Sequence, residues 1–117
     1  MVMWLPSLKK DATASQSLAT GPLLTTTTYG RKAKIESVMV HASVAITETV
    51  KITLVSAWGA NFNEVLSSYD LVSEQDFVWR PQGEMNIQSG DSIRVTCTNA
   101  NGTGTVYSTI KASEVLN

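Results

Sequence analysis

Apolar and polar residues alternate along two stretches of the chain, residues 48–58 and 92–98. Val50, Ile52, Leu54 and Trp58 share one parity in the first stretch, and Ile93, Val95 and Cys97 share one parity in the second. Period-two alternation is typical of a β-strand with one buried face and one solvent face. We therefore predict two central strands in which Ile52, Leu54, Ile93 and Val95 are buried.

Turn-forming residues connect the neighbouring segments. Residues 85–98 predict two strands joined at Ser89-Gly90-Asp91, because Gly90 can take a positive φ and Asp91 can hydrogen-bond nearby backbone. The glycine-rich stretch 99–104 predicts a hairpin loop before a further strand. Apolar residues over 33–43 change parity, which indicates either a β-bulge near Ser37 or partial burial of both faces.

Further strands are predicted over residues 22–29, 64–72, 77–79 and 105–112. Together they make about eight strands at a spacing of roughly 8–12 residues, the pattern of a sandwich or barrel. No long helical period lies between them, which excludes parallel βαβ units. The sequence therefore predicts an all-β fold: a two-sheet antiparallel β-sandwich, jelly-roll-like rather than immunoglobulin-like, since the Cys…Trp…Cys core of an antibody domain is missing.

Residues 1–20 do not follow this pattern, and we interpret them as an extended N-terminal arm before a β-sandwich domain over residues 21–117. A frayed terminus is the alternative interpretation. An exposed tryptophan beside other large apolar residues is costly in an isolated monomer, which favours an arm that lies across a neighbouring subunit. The predicted partner-binding residues are Met3, Trp4, Leu5 and Leu8.

Composition limits the classes of partner. The chain has 117 residues, of which 16% are charged, and its net charge is −1. Without a basic stripe to neutralise phosphates, a nucleic-acid partner is not expected. No apolar run approaches the ~20 residues that span a bilayer, so no membrane partner is expected either. The single cysteine, Cys97, cannot form an intrachain disulfide, and we predict a reduced core thiol that fits assembly in a reducing cytoplasm.

Residue types that carry chemistry do not form a recognisable site. His41 is the one histidine of the chain and has no acidic residue at a metal-ligand spacing, so we interpret it as a surface residue. Asp70, Glu74 and Asp76 lack the fixed intervals of a calcium loop and are interpreted as part of a solvated loop. Residues 99–104 lack the lysine of a phosphate-binding loop. We predict no enzyme activity, no catalytic residue, no metal and no cofactor.

The aromatic residues leave two interpretations open. Trp58, Tyr69, Trp79 and Tyr107 could line a sugar-binding platform. Trp58 and Tyr69, however, share parity with apolar neighbours of their predicted strands, which favours core packing.

Four segments resemble the strands and turns of small β-sandwich virion proteins of tailed bacteriophages. The segments are KIESVMVH (34–41), VKITL (50–54), LSSYDL (66–71) and IQSGDSIRVT (87–96). The resemblance covers residues 34–112 and lies in the succession of strands and turns. It implies a non-enzymatic structural subunit of the head decoration, cement or fibre-base type, made and assembled in the host cytoplasm and carried in the virion. Its partners would be other virion proteins and further copies of itself, a trimer being one such homo-oligomer.

The alternative function is a carbohydrate-binding or adhesin β-sandwich module, whose partner would be a glycan bound by exposed aromatic residues. The two functions differ in solution behaviour. A stable oligomer favours virion assembly, whereas a monomer with glycan affinity favours the adhesin.

Overall fold

Ten β-strands and one short 3-10 helix make up the computed structural model, which describes residues 7–115. The elements in chain order are β1 Ser7–Lys9, β2 Ala12–Ser17, β3 Leu23–Thr28, β4 Ala33–Ile46, β5 Thr49–Val55, the 3-10 helix Ala60–Phe62, β6 Glu64–Asp70, β7 Glu74–Trp79, β8 Met85–Ile87, β9 Ser92–Cys97 and β10 Thr105–Val115.

The strands form two antiparallel sheets that pack face to face. Sheet A has the order β1-β10-β4-β7, with β2 also pairing with β10 and β8 also pairing with β4. Sheet B has the order β3-β9-β5-β6. Because β1 and β2 occupy successive parts of one edge of β10, and β8 and β7 successive parts of one edge of β4, sheet A is four strands wide. The opposed orders β2-β10-β4-β7 and β3-β9-β5-β6 are those of a jelly roll, which confirms the predicted fold class.

The two strands with the clearest alternation lie in the middle of sheet B. β9 pairs with β3 and β5, and β5 pairs with β9 and β6. Ile52, Ile93 and Val95 are fully buried between the sheets, as predicted. Leu54 is half-buried and packs against the same core near the end of its strand.

The predicted irregularity near Ser37 is a β-bulge in β4. Lys111 of β10 pairs with Ser37, whereas the next residue, Ala112, pairs with Ile35, so Glu36 has no partner in the ladder. The extra residue shifts the parity of the strand, and for this reason Ser37 and Val38 are both buried. The bulge therefore explains the broken apolar pattern in this segment.

Two connections cross from one sheet to the other. The turn at Gly90 forms as expected, with φ 92° at Gly90 and the Gln88 N–H donating to Asp91 Oδ2 at 3.0 Å. The strands beside it, however, lie in different sheets, since β8 belongs to sheet A and β9 to sheet B. Residues 99–104 likewise cross from sheet B to sheet A, so the prediction of a hairpin loop is wrong. Turn residues determine where the chain bends but not which strand the next segment pairs with.

β1 and β2, within residues 7–17, belong to sheet A, which differs from the predicted arm over residues 1–20. β2 pairs with β10 along its whole length, and its side chains alternate between half-buried and exposed. Ala12 and Ala14 pack against the core. This alternation was hidden in the sequence because alanine, serine and threonine differ little in polarity. A truncation at residue 20 would therefore remove two strands of the sandwich.

Cys97 lies on the inner face of β9 and is 1% exposed. Burial, assisted by the charge of Glu48, raises the pKa of this thiol to about 11. We expect a thiol reagent at neutral pH to label the native protein slowly and the unfolded protein quickly. The matched control is a Leu24→Cys, Cys97→Ala variant, whose new thiol replaces a side chain that is 69% exposed on the adjacent strand. Equal labelling rates for the two native proteins would contradict the inward position of Cys97.

Candidate functional site

Of the four predicted partner-binding residues, the structure places one. Met3, Trp4 and Leu5 lie outside the described residues. Leu8 lies in β1, opposite Glu114 of β10, and its side chain is 49% exposed. Leu8 is therefore an apolar side chain on the outermost strand of sheet A.

Trp58 lies on the surface, so the prediction of core packing for this residue is wrong. Its side chain is 79% exposed. β5 ends at Val55, and the chain then turns at residues 56–59. Parity predicts a side chain's direction only while the backbone remains extended. Beyond Val55, sharing parity with Leu54 no longer places a residue in the core.

Trp58 and Phe62 form an exposed aromatic pair at one end of sheet B, which we call the aromatic tip. Their ring centroids are 6.0 Å apart and their planes are perpendicular, an edge-to-face contact. Phe62 is 60% exposed and ends the 3-10 helix. Val65, at the start of β6, adds a third exposed apolar side chain.

Hydrogen bonds hold the backbone of the aromatic tip. The N–H of Ser56 donates to Asn63 Oδ1 at 2.8 Å, which closes the base of the loop. The N–H of Ala57 donates to Asp91 Oδ1 at 2.9 Å and ties the loop to the turn before β9. The N–H of Trp58 donates to Ser56 Oγ at 3.0 Å. Gly59 has φ 122°, a conformation that side chains disfavour, and it begins the 3-10 turn. The loop therefore presents both rings to solvent from an ordered base.

Tyr69 and Phe77 close the gap between the two sheets on the side of β6 and β7. Their rings are stacked, with centroids 4.6 Å apart and planes 6° from parallel. The hydroxyl of Tyr69 donates to Glu74 Oε2 at 3.0 Å, and this bond to a carboxylate raises the pKa of Tyr69. Trp79 is half-buried against the core. Trp79 therefore packs at the margin of the core, whereas Tyr69 is exposed and stacks on Phe77, which packs against the core.

A row of polar and aromatic side chains crosses the outer face of sheet A. The register of β2, β10, β4 and β7 aligns Ser15, Tyr107, His41 and Asp76 side by side. His41 Nδ1 donates to Asp76 Oδ1 at 2.6 Å, and the imidazole lies near the Tyr107 ring, with centroids 6.3 Å apart and planes 26° from parallel. His41 is a hydrogen-bonded surface residue, as predicted, but sequence alone did not associate it with Tyr107 and Asp76.

Glu48 is a buried carboxylate that organises the crossing between the sheets. Its Oε1 accepts hydrogen bonds from the Thr98 hydroxyl at 2.9 Å and the Ala100 N–H at 2.8 Å, and its Oε2 accepts from the Asn101 N–H at 2.8 Å. Burial by itself would raise the pKa of Glu48, but these donors stabilise the charged form and the net effect is a lowered pKa. These bonds tie Glu48 to residues 98–101 and hold the start of the crossing in place.

Asp70 and Glu74, two of the acidic residues considered for a calcium loop, also accept hydrogen bonds from nearby residues. Asp70 Oδ1 accepts from the Thr49 hydroxyl, and Glu74 Oε1 accepts from the Val72 N–H. Within residues 7–115 no group of three or more His, Cys, Asp or Glu side chains is placed to hold a metal ion. Over the same residues, no helix has the length and apolar character needed to cross a membrane.

Comparison with known proteins identifies no family for this chain. No protein-family model and no curated protein sequence matches it. Among solved structures, the chain is similar to one described as "Crystal structure of PirA", with a TM-score of 0.48 and 15% sequence identity. The superposition covers 87% of this chain and 90% of that one.

Proposed function

We propose that the protein is a non-enzymatic structural subunit of a phage virion, of the capsid decoration or cement type, that binds neighbouring virion proteins through exposed apolar side chains. The observation that carries this proposal is the aromatic tip, because Trp58 and Phe62 project into solvent from a hydrogen-bonded loop. An ordered, exposed aromatic pair is typical of an anchor that a partner covers.

Covering the aromatic tip would contribute to the stability of an assembly. Burying a fully exposed large apolar side chain contributes roughly 1.5–3 kcal/mol. Because Trp58 and Phe62 are already partly covered, together they would contribute at most about 3–6 kcal/mol per subunit, before the entropic cost of association. In a symmetric oligomer the same contact repeats at each subunit, and several such contacts on one particle act together. The Thr-rich, weakly charged remainder of the surface would then serve as the polar rim of the contact.

The assignment to a virion is tested by the composition of the particle. Phage particles purified by density gradient from the host that carries the gene should contain the protein at a copy number comparable to that of a capsid or tail protein. Quantitative mass spectrometry of the purified particles measures this. Absence of the protein from particles that are otherwise complete would contradict the proposal.

Replacing both rings of the aromatic tip should weaken assembly without unfolding the protein. We expect Trp58→Ser with Phe62→Ser to reduce binding to purified particles, or self-association, by tenfold or more, since each 1.4 kcal/mol corresponds to about a factor of ten. The melting temperature should change little, because both side chains are exposed. Light scattering after size exclusion and sedimentation with particles measure the two effects.

The matched control for this variant is Val72→Ser. Val72 is also exposed, but it follows β6 at the opposite end of sheet B from the aromatic tip. The Val72→Ser variant should assemble as the unchanged protein does. A second comparison, deletion of residues 1–6, tests the predicted contribution of Met3, Trp4 and Leu5 while leaving all ten strands in place. If the double variant and the deletion both assemble normally, assembly does not use these apolar groups.

A further inference from the structure

We infer that the outer face of sheet A is a binding site for a neutral saccharide, with Tyr107 as the stacking platform and Asp76, His41 and the hydroxyls of neighbouring strands as hydrogen-bonding groups. This inference goes beyond the proposed virion role and does not depend on it. The site lies on sheet A, whereas the aromatic tip lies on a loop of sheet B.

The Tyr107 ring is both accessible and restrained. Its side chain is 47% exposed, so one part of the ring is covered by the sheet and the rest faces solvent. The nearly parallel imidazole of His41 lies along one side of it. His41 is in turn held by its hydrogen bond to Asp76. A ring that is already positioned loses little conformational freedom when a ligand stacks on it, which favours binding.

The groups around Tyr107 supply the hydrogen bonds that sugar hydroxyls need. The His41–Asp76 bond uses one ring nitrogen and one carboxylate oxygen, and the remaining nitrogen and oxygen of these exposed side chains are available to a ligand. Hydrogen bonds to an ionised carboxylate are stronger than those between neutral groups. On the other side of the ring, Ser15 and Thr13 of β2 place exposed hydroxyls beside β10.

An open depression next to Tyr107 defines where the ligand would lie. It has a volume of about 340 Å³ and is lined by Thr13, Ala14, Ser15, Tyr107, Ser108 and Thr109. This is within the range of small-ligand sites, about 300–1,000 Å³. The row from β2 to β7 spans three inter-strand steps of about 4.8 Å each, so the face is long enough for more than one sugar ring.

The chemistry of the face distinguishes a saccharide from other ligands. The register places a second row, Thr13, Thr109, Met39 and Val78, beside the first on this face. The two rows together present hydroxyls, the His41–Asp76 pair, one aromatic ring and the partly exposed side chains of Met39 and Val78. A sugar has the complementary character, with an apolar C–H face for the ring and hydroxyls for the polar groups. Within the row of Ser15, Tyr107, His41 and Asp76, the carboxylate of Asp76 disfavours a sulfated or phosphorylated ligand.

The test is a titration of the full chain with neutral hexasaccharides of glucose (α-1,4 and β-1,4 linked), mannose and galactose, followed by calorimetry and by amide chemical shifts. At least one should bind and shift the amides of β2, β10 and β4. Tyr107→Ala should weaken binding about tenfold or abolish it, whereas Tyr107→Phe, which keeps the ring, should retain most of the affinity. Asp76→Asn should weaken binding about fivefold, because the neutral amide keeps the shape but loses the charge.

The control is Leu24→Ser, at an exposed position of β3 in sheet B, which should bind the saccharide as the unchanged protein does. Circular dichroism checks that each variant is folded. The inference is overturned if none of the four oligosaccharides binds at millimolar concentration, or if Tyr107→Ala binds as well as the unchanged chain. It is also overturned if Tyr107→Ala loses self-association instead, since the face would then be an interface between copies. These outcomes are independent of the particle composition that tests the virion proposal.

Discussion

Replacing Ile93 with alanine should lower the free energy of unfolding by about 2–5 kcal/mol, the cost of truncating a well-packed core side chain. Ile93 is fully buried on the inner face of β9, between the two sheets. It pairs with Thr27 of β3 on one side and with Leu54 of β5 on the other, so neighbouring strands on both sides limit how far the core can collapse around a cavity. Urea denaturation at neutral pH measures the change.

Two further variants, Leu24→Ala and Leu54→Ala, serve as comparisons for Ile93→Ala. Leu24 lies on the adjacent strand β3, and its large apolar side chain is mostly exposed. Leu24→Ala should therefore change the free energy of unfolding by no more than about 0.5 kcal/mol. Leu54 is half-buried, so the loss of unfolding free energy in Leu54→Ala should lie between the losses in Ile93→Ala and Leu24→Ala. If Ile93→Ala costs as little as Leu24→Ala, the assignment of inner and outer faces of sheet B is incorrect.

Replacing Glu48 with alanine should destabilise the protein by about 2–4 kcal/mol at neutral pH. The change removes the acceptor of the Thr98 hydroxyl and of the Ala100 and Asn101 N–H groups. Part-buried donors left without an acceptor cost about 1–3 kcal/mol each, reduced where water can replace the lost bond. Amide hydrogen exchange should localise the effect to residues 98–101, which follow β9. Glu84→Ala, at an exposed position, is the matched control and should be close to neutral.

The contribution of Glu48 should also depend on pH, with a defined sign. The folded-state pKa of Glu48 lies below its ordinary value of 4.5. The unfolded state therefore binds the proton first as the pH falls, and the stabilisation is complete above about pH 4.5 and lost as the pH falls through the folded-state pKa. The stability difference between the unchanged protein and Glu48→Ala should shrink over this acid range. If the stability difference between the unchanged protein and Glu48→Ala is as large well below the folded-state pKa as it is at pH 7, the shape of Glu48 and not its charge determines its contribution.

The sequence determined the features that depend on local periodicity. Alternation every second residue placed Ile52, Ile93, Val95 and Cys97 on buried faces, because successive side chains of an extended chain point to opposite sides. The change of parity near Ser37 indicated the bulge for the same reason, since one inserted residue reverses the alternation. Turn residues and strand spacing were sufficient for the all-β class, and the missing Cys…Trp…Cys core gave the preference for a jelly roll.

Tertiary structure decided the features that depend on pairing between distant residues. The β2 segment has no strong apolar alternation and becomes a strand because it pairs with the edge of β10. The Ala112 N–H also donates to Asp11 Oδ1, a bond between residues that are distant in sequence. Pairing with non-local partners is not encoded in any single window of sequence.

The candidate binding surfaces were decided in the same way. Trp58 became exposed because its strand ends at Val55, a boundary that parity does not reveal. Tyr107, His41 and Asp76 come from three separate strands, and the register of those strands alone brings them into one row. Local sequence thus specifies which way a side chain points, whereas strand pairing specifies which side chains become neighbours, because a sheet joins residues through backbone hydrogen bonds regardless of their separation along the chain.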